Sequence, residues 1–346
     1  MYLRALATAT PPHSFTQREC LDLVQASPET LARLDRRSRL TLQAVLRGDS
    51  GIARRQFALH DPQKLFRLDA DGLNEEFRTA APALAGRALA RALEEAGLAP
   101  SELDVLIITT CTGYLCPGVS SYVAESLGLR GDVWLQDIVG LGCGAAIPAL
   151  RAAASILAAD PELNVACVSV EICSAAFYLD NDPGVVVSAC LFGDGAAATV
   201  WQGKKEGGAL RCHDFASLHE PEHRDLIRFE QREGKLRNLL HPTVPHLAAK
   251  AVGQLYREAN GTKSVVRVLS HAGGRDVIEA IESELPGVKL DETREVLREH
   301  GNMSSPSVLF ALDHARRKKA PSPGEDWWMV SFGAGFSAHT CRLSAE

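Results

Sequence analysis

Apolar positions fall into two patterns along the chain. Short unbroken runs, Val105 to Thr110, Asn164 to Glu171, Ala198 to Trp201, Val265 to Ser270 and Trp327 to Phe332, predict buried strands. Longer segments carry helical periodicity. Gln17 to Arg47 is polar and Arg/Leu-rich with a break at Pro28, and Asn74 to Gly97 is Ala-rich and amphipathic. Val244 to Ala259, the segment after Gly274 to Glu284, Thr293 to His300 and Ser307 to Arg317 also predict helices. A first strand is expected at Tyr2 to Thr8, and a helix ending at Leu127 follows the turn-rich loop Thr110 to Gly118. Past a polar connection at Lys204 to Gly208, a strand starts near Ala209 and a charged stretch runs from His219 to Arg237. Strands alternate with helices in each part, which predicts an α/β protein of two related halves, 1–203 and 204–346.

One stretch stands apart. Val133 to Val139 reads as a strand, breaks at Gly140, Gly142 and Gly144, and continues into an Ala-rich helix from Ala145 to Ala158 with Pro148 in its first turn. Cys143 lies in the break, where a helix N-terminus favours a thiolate and the flanking glycines leave room beside the sulfur.

At 346 residues the chain is too long for one small core. Its formal charge of −6, with no basic stripe interleaved with aromatics, argues against nucleic acid as a partner. Nine scattered cysteines without a secretory signal point to a reducing compartment, and a cytoplasmic protein is expected. No apolar segment is expected to approach the roughly 18 residues of a membrane span. Cys111 and Cys116 have no second pair at metal spacing, so no metal site is expected.

Three residues at backbone turns could form one site: Cys143, His271 before Gly273-Gly274, and Asn302 after Gly301. A thiol, an imidazole and an amide donor together suit attack on a thioester or amide carbonyl. Gly140-Leu141-Gly142-Cys143-Gly144-Ala145, with Glu171 ending the next strand, also matches a dinucleotide-binding turn. A papain-like Cys-His-Asn hydrolase is a third reading, disfavoured by the alternating α/β order. The basic cluster Arg47, Arg54 and Arg55 could hold phosphate or be a solvated loop.

Taken in order, Gly142-Cys143-Gly144-Ala145-Ala146, Leu191-Phe192-Gly193-Asp194-Gly195-Ala196, His271-Ala272-Gly273-Gly274 and Gly301-Asn302-Met303-Ser304-Ser305 resemble the chalcone synthase superfamily, the type III polyketide synthases. The resemblance spans nearly the whole chain. It implies a thiolase fold, with two α/β halves in a layered α-β-α-β-α sandwich, and a homodimer. It implies acyl-CoA and malonyl-CoA as substrates and no metal or other cofactor. By the same resemblance Cys143 is the nucleophile, and His271 and Asn302 bind the thioester carbonyl and the enolate formed on decarboxylation. Phe192 becomes a gatekeeper, and Ser304, Ala176, Cys111 and Cys116 shape the cavity, Cys116 from the neighbouring subunit. Arg47, Arg54 and Arg55 match the coenzyme A contacts loosely.

Some motifs depart from plant members. The closing loop reads Phe332-Gly333-Ala334-Gly335-Phe336, nearer to ketoacyl synthase III enzymes, and Arg237 to Leu240 has no aromatic where a second gatekeeper would stand. A bacterial type is therefore expected. A ketoacyl synthase III-like enzyme making one condensation is the alternative, and a catalytically silent acyl-CoA-binding scaffold a further one.

Overall fold

The computed structural model describes residues 1–59, 61, 64, 67–205, 210–259 and 265–346. The chain begins with β1 (Tyr2–Ala9) and β2 (His13–Thr16), then a cap of three helices, α1 (Gln17–Gln25), α2 (Pro28–Arg33) and α3 (Arg36–Arg47). Thr16, Ser27 and Asp35 accept from the first free N–H groups of these helices, and Pro28 occupies the first turn of α2, where its missing N–H is harmless. The Pro28 break is thus the start of a helix. After β3 (Arg54–Phe57), antiparallel to β2, come α4 (Ala70–Ala96), β4 (Val105–Thr109), α5 (Val119–Leu127) and β5 (Trp134–Ile138). Then follow α6 (Ala146–Ala159), β6 (Val165–Glu171), α7 (Pro183–Leu191) and β7 (Gly195–Gln202).

The remaining chain holds β8 (Leu210–His219), β9 (Ile227–Arg232), β10 (Lys235–Leu240), α8 (Val244–Ala259) and β11 (Val265–Ser270). It ends with α9 (Arg275–Glu284), α10 (Asp291–His300), α11 (Ser307–Lys318), β12 (Asp326–Gly333) and β13 (Ser337–Ala345). The charged stretch from His219 is an ordered element, since β9 and β10 pair as a hairpin that packs on α7. Of the polar connection at Lys204 to Gly208, residues 206–208 lie outside the described residues.

Strand order shows the duplication that residue identities hide. One set runs β1-β7-β6-β4 and the other β8-β13-β12-β11, each with two antiparallel pairings followed by a parallel one. The sets meet at a single register pair, Tyr2 with Arg211, and β5 extends only the first. Helices α4 and α5 cover the outer face of the first set, and α8 and α9 cover the second. Between the sets lie α6, against β4, β6, β8, β12 and β13, and α11, against β1, β7, β11 and β12. This is the α-β-α-β-α layering of a thiolase-like fold.

One expectation changes. The stretch Gly142–Ala159 is 18 residues long and apolar enough by composition to cross a membrane, and here it is the central helix of the sandwich. The strand before it, β5, is a sheet edge with Trp134 half exposed and with Leu135 and Ile138 only partly buried against the core. Among α6 residues Leu150 is fully buried. Leu150→Ala should cost about 3 kcal/mol of unfolding free energy in urea titrations, since both sheets limit collapse into the gap.

Candidate active site

Cys143 sits where β5 turns into α6. Gly140 and Gly142 have φ of +89° and +55°, which a side chain would strain, and Gly142–Gly144 form one 3₁₀ turn before the helix. The end of β12 closes on this turn. Ser331 Oγ donates to Gly144 O at 2.9 Å, and a Cβ on Gly333 would lie 2.6 Å from Gly144 N and 2.9 Å from Cys143 N. Main chain therefore fills the space a pyrophosphate would need, which removes the dinucleotide reading.

The second half supplies the other groups. At the end of β11, His271 N donates to Val330 O at 2.9 Å and its ring stands edge-on to Phe332, 5.2 Å between centroids. Asn302 follows Gly301 out of α10. Its N–H donates to Leu191 O (2.9 Å) and its carbonyl accepts from Gly193 N (3.0 Å), so it pairs with Phe192 across the two halves. Its Nδ2 donates to Gly273 O (3.1 Å) and its Oδ1 accepts from Ser304 N (2.8 Å). Ser304 has a φ of +59°, uncommon for a residue with a side chain. Its hydroxyl lies 3.2 Å from Cys111 Sγ and neighbours the Cys143 thiol, while its main chain neighbours the His271 ring. Cys143, His271, Asn302, Ser304 and Cys111 thus converge on one turn.

Burial governs the charge states. It pushes the Cys143 thiol up to about 12, with the Ser304 hydroxyl opposing, and pulls the His271 imidazole down to about 3. The expected stabilisation of a thiolate is outweighed: a rise from 9.0 to about 12 is worth about 4 kcal/mol, whereas a helix N-terminus contributes about 2 at most. The resting pair is neutral. His271 Nδ1 is buried without a hydrogen-bond partner among the described residues.

Glu171 enters the site by a route that sequence reasoning missed. Its fully buried carboxylate accepts from Cys111 N (2.9 Å), Thr112 N (3.1 Å), Thr112 Oγ1 (2.9 Å) and Ser305 Oγ (2.6 Å), with Cys111 Sγ at 3.3 Å. An acid closing an otherwise apolar strand was the available signal. Phe192 is buried in the same apolar cluster as Cys143, Cys173 and Phe177. Ala176 is partly exposed at the end of the turn Cys173–Ala176.

Arg55 is a correction. Its guanidinium is buried, donates to Ala189 O and Phe192 O at 2.8 Å each and to Gln17 Oε1 at 3.0 Å, and stacks on Phe57. It braces the Phe192 loop from within and has no free face for a phosphate. Arg47 and Arg54 are exposed, Arg54 pairing with Glu299. Cys116 is also exposed, outside the buried cluster.

A thiolase-like sandwich with a cysteine at the N-terminus of its central helix, facing a histidine and an asparagine from the other half, defines an acyl-transfer enzyme class. Residues 13–209 match the family model described as FAE1/Type III polyketide synthase-like protein, and 220–345 match the chalcone and stilbene synthases, C-terminal domain. The chain belongs to this family of type III polyketide synthases, and is an acyltransferase. It is 30% identical to a 1,3,6,8-tetrahydroxynaphthalene synthase of Streptomyces peucetius subsp. caesius, covering 98% of this chain and 92% of that protein. It is 31% identical to a 3,5-dihydroxyphenylacetyl-CoA synthase of Amycolatopsis orientalis, covering 95% and 90%. The crystal structure of PKS-I from the brown alga Ectocarpus siliculosus shares the fold with a TM-score of 0.89 at 24% identity, covering 99% of this chain and 98% of that one.

Two tests follow from this geometry. Gly333→Ala should force the Cys143 turn and the closing loop apart and lower turnover more than stability, measured as kcat beside a thermal melt. Asp194, in the loop after Phe192, accepts from Ser174 N, Ser174 Oγ and Ala58 N, and burial raises its carboxyl from 3.8 to about 6. The fold therefore holds this proton more tightly than the unfolded chain does. The stabilisation is complete below about pH 4 and is lost as pH rises through 6. Asp194→Asn should gain on the wild type by roughly 3 kcal/mol between pH 4 and 7 in paired denaturant titrations.

Proposed function

We propose that this protein condenses malonyl-CoA with an acyl-CoA starter carried as a thioester on Cys143, extends the chain by repeated decarboxylative Claisen steps, and releases a cyclised or lactonised polyketide. The observation that supports this most directly is the convergence of thiol, imidazole and amide on Ser304.

The neutral Cys143 thiol passes its proton to His271, whose ring has an unpartnered nitrogen, as sulfur attacks the starter carbonyl; the bond to the coenzyme A sulfur then breaks and coenzyme A leaves as a thiol with that proton. Malonyl-CoA then places its thioester oxygen against His271 and the second Nδ2 hydrogen of Asn302, the first being held by Gly273 O. Loss of carbon dioxide builds negative charge on that oxygen. Two preorganised donors in a dry site stabilise it far better than water would. The enolate carbon attacks the Cys143 thioester and the extended chain returns to sulfur. Carbon dioxide release drives each condensation, so the chemistry calls for no metal and no redox cofactor.

Phe192, Ala176, Ser304 and Cys111 bound the cavity, and Arg47 and Arg54 are the exposed cations for the coenzyme A phosphates. A homodimer is supported by the β5 edge with exposed Trp134, by neighbouring Val139, and by the exposed loop residues Tyr114 and Cys116, which a second copy would cover. Nine free cysteines fit a cytoplasmic setting.

Purified protein given malonyl-CoA with a panel of acyl-CoA starters should yield polyketides by mass spectrometry, with chain length separating repeated from single condensation. Cys143→Ala should abolish product. His271→Ala and Asn302→Ala should each lower malonyl-CoA decarboxylation by about 10²- to 10³-fold. Undiminished product from Cys143→Ala would overturn the nucleophile.

A further inference from the structure

A cleft opens where the two halves meet beside α10. Thr8 and Thr10 at the end of β1 and Arg91 of α4 form its first-half wall, and side chains of α10 and α11 form the other. Its volume is about 360 Å³, at the small end of the roughly 300–1,000 Å³ of ligand pockets and about twelve times the share of a water molecule. The lining is apolar in part. Val296 and Phe310 are buried, and Phe310 meets the His300 ring edge-on with 5.1 Å between centroids. His300 Nδ1 lies 2.9 Å from Gln56 Oε1, and burial pulls the imidazole down to about 4, so this ring brings no charge at neutral pH.

The acids around the cleft are already answered. Glu295 and Glu299 both meet Arg298, Glu299 also meets Arg54, and Asp313 takes Arg317 Nε on one oxygen and Thr8 Oγ1 on the other. Each carboxylate oxygen has its donor. Arg91, in contrast, spends a single N–H on Thr8 O (3.0 Å) and Arg317 spends its Nε, so among the described residues both keep open guanidinium forks. Four arginines against three acids leave one excess positive charge. Among the described residues no group of three or more His, Cys, Asp or Glu side chains could hold a metal ion.

These features select a ligand. A single excess charge matches a monocarboxylate, which a guanidinium fork binds through paired N–H···O bonds. A doubly charged phosphate would leave negative charge uncompensated beside three carboxylates. Val296 and Phe310 suit a carbon frame behind the carboxylate.

The position ties an occupant to the catalytic turn. Helices α10 and α11 are joined by residues 301–306, the segment that carries Asn302 and Ser304. His300 ends α10, and its carbonyl packs so closely on the Phe192 loop that a Cβ on Gly193 would collide with it. Asn302 stands two residues on.

We propose that this cleft binds a small monocarboxylate with an apolar body, and that its occupancy is read at Asn302 as a change in turnover. The binding stands on the cleft itself; the effect on turnover rests on the reading of Asn302 as an enolate donor.

Benzoate is the probe, with uncharged benzamide as its control. Calorimetric titration of the wild type should show a benzoate site that benzamide does not share and that added salt weakens. Arg91→Gln combined with Arg317→Gln removes both open forks and should weaken benzoate about tenfold or more, while Arg91→Lys with Arg317→Lys, which keeps the charges, should lose less. Matching thermal melts, and malonyl-CoA decarboxylation within about twofold of the wild type before benzoate is added, would confirm that the variants fold. Saturating benzoate should change kcat for decarboxylation by about twofold or more at constant KM in the wild type and leave the Gln variant unaffected. No benzoate binding, equal binding of benzamide, or an affinity unchanged in the Gln variant would overturn the site. Binding that raises KM alone, or leaves kcat where it was, would overturn the link to Asn302. Absence of decarboxylation before benzoate is added would instead sink the enolate-donor reading, with the calorimetric result still deciding the cleft.

Discussion

The side-chain amide of Asn302 holds the site together. One end donates to the carbonyl of Gly273, two residues past His271, and the other accepts from the N–H of Ser304, whose hydroxyl neighbours the Cys143 thiol. Its main chain pairs with the Phe192 loop of the first half. Four segments far apart in sequence are thereby located by one residue. A buried amide left without these partners would cost about 1–3 kcal/mol for each lost bond, so the arrangement is steep around its minimum.

Dryness is the second constraint, and it reaches every titratable group of the site. The thiol is pushed up, the imidazole down, and Glu171 up as well, against the donors around it. A site of neutral groups with oriented donors resists charge at rest and rewards charge that forms at one place, on an oxygen facing those donors. Glu171 also gathers Cys111, Thr112 and Ser305 beside the Ser304 turn, so the buried carboxylate organises that turn without bonding Cys143 itself.

The duplicated strand order explains how one chain brings such groups face to face. In each set the parallel strands run toward the same edge of the sandwich. The turn leaving β5 presents Cys143 and the turn leaving β11 presents His271. The central helix α6 lies between the sets, and the end of β12 presses main chain to main chain against the Cys143 turn that precedes it. That approach leaves no volume for a Cβ at Gly333, which accounts for glycine in the closing loop even though its wording differs from that of plant relatives.

Much of this was legible in the residues. Buried strands announce themselves by unbroken apolar runs and helices by caps and periodicity, because those signals are local. The four glycine-bearing motifs marked the turns that carry Cys143, Phe192, His271 and Asn302 because turn geometry restricts which residues fit. The α/β class needed nothing more. Other features depended on neighbours distant in sequence. Arg55 looked like a phosphate ligand because sequence shows a charge and not the carbonyls of Ala189 and Phe192 that surround it. That β5 ends the sheet was not legible either, because apolar content does not reveal which strand is an edge. The helix N-terminus promised a thiolate, and only the packing of both halves showed that desolvation outweighs the dipole. Sequence determined the elements and the chemistry at their ends; tertiary structure decided which side chains water can reach, and with that their charge, partners and use.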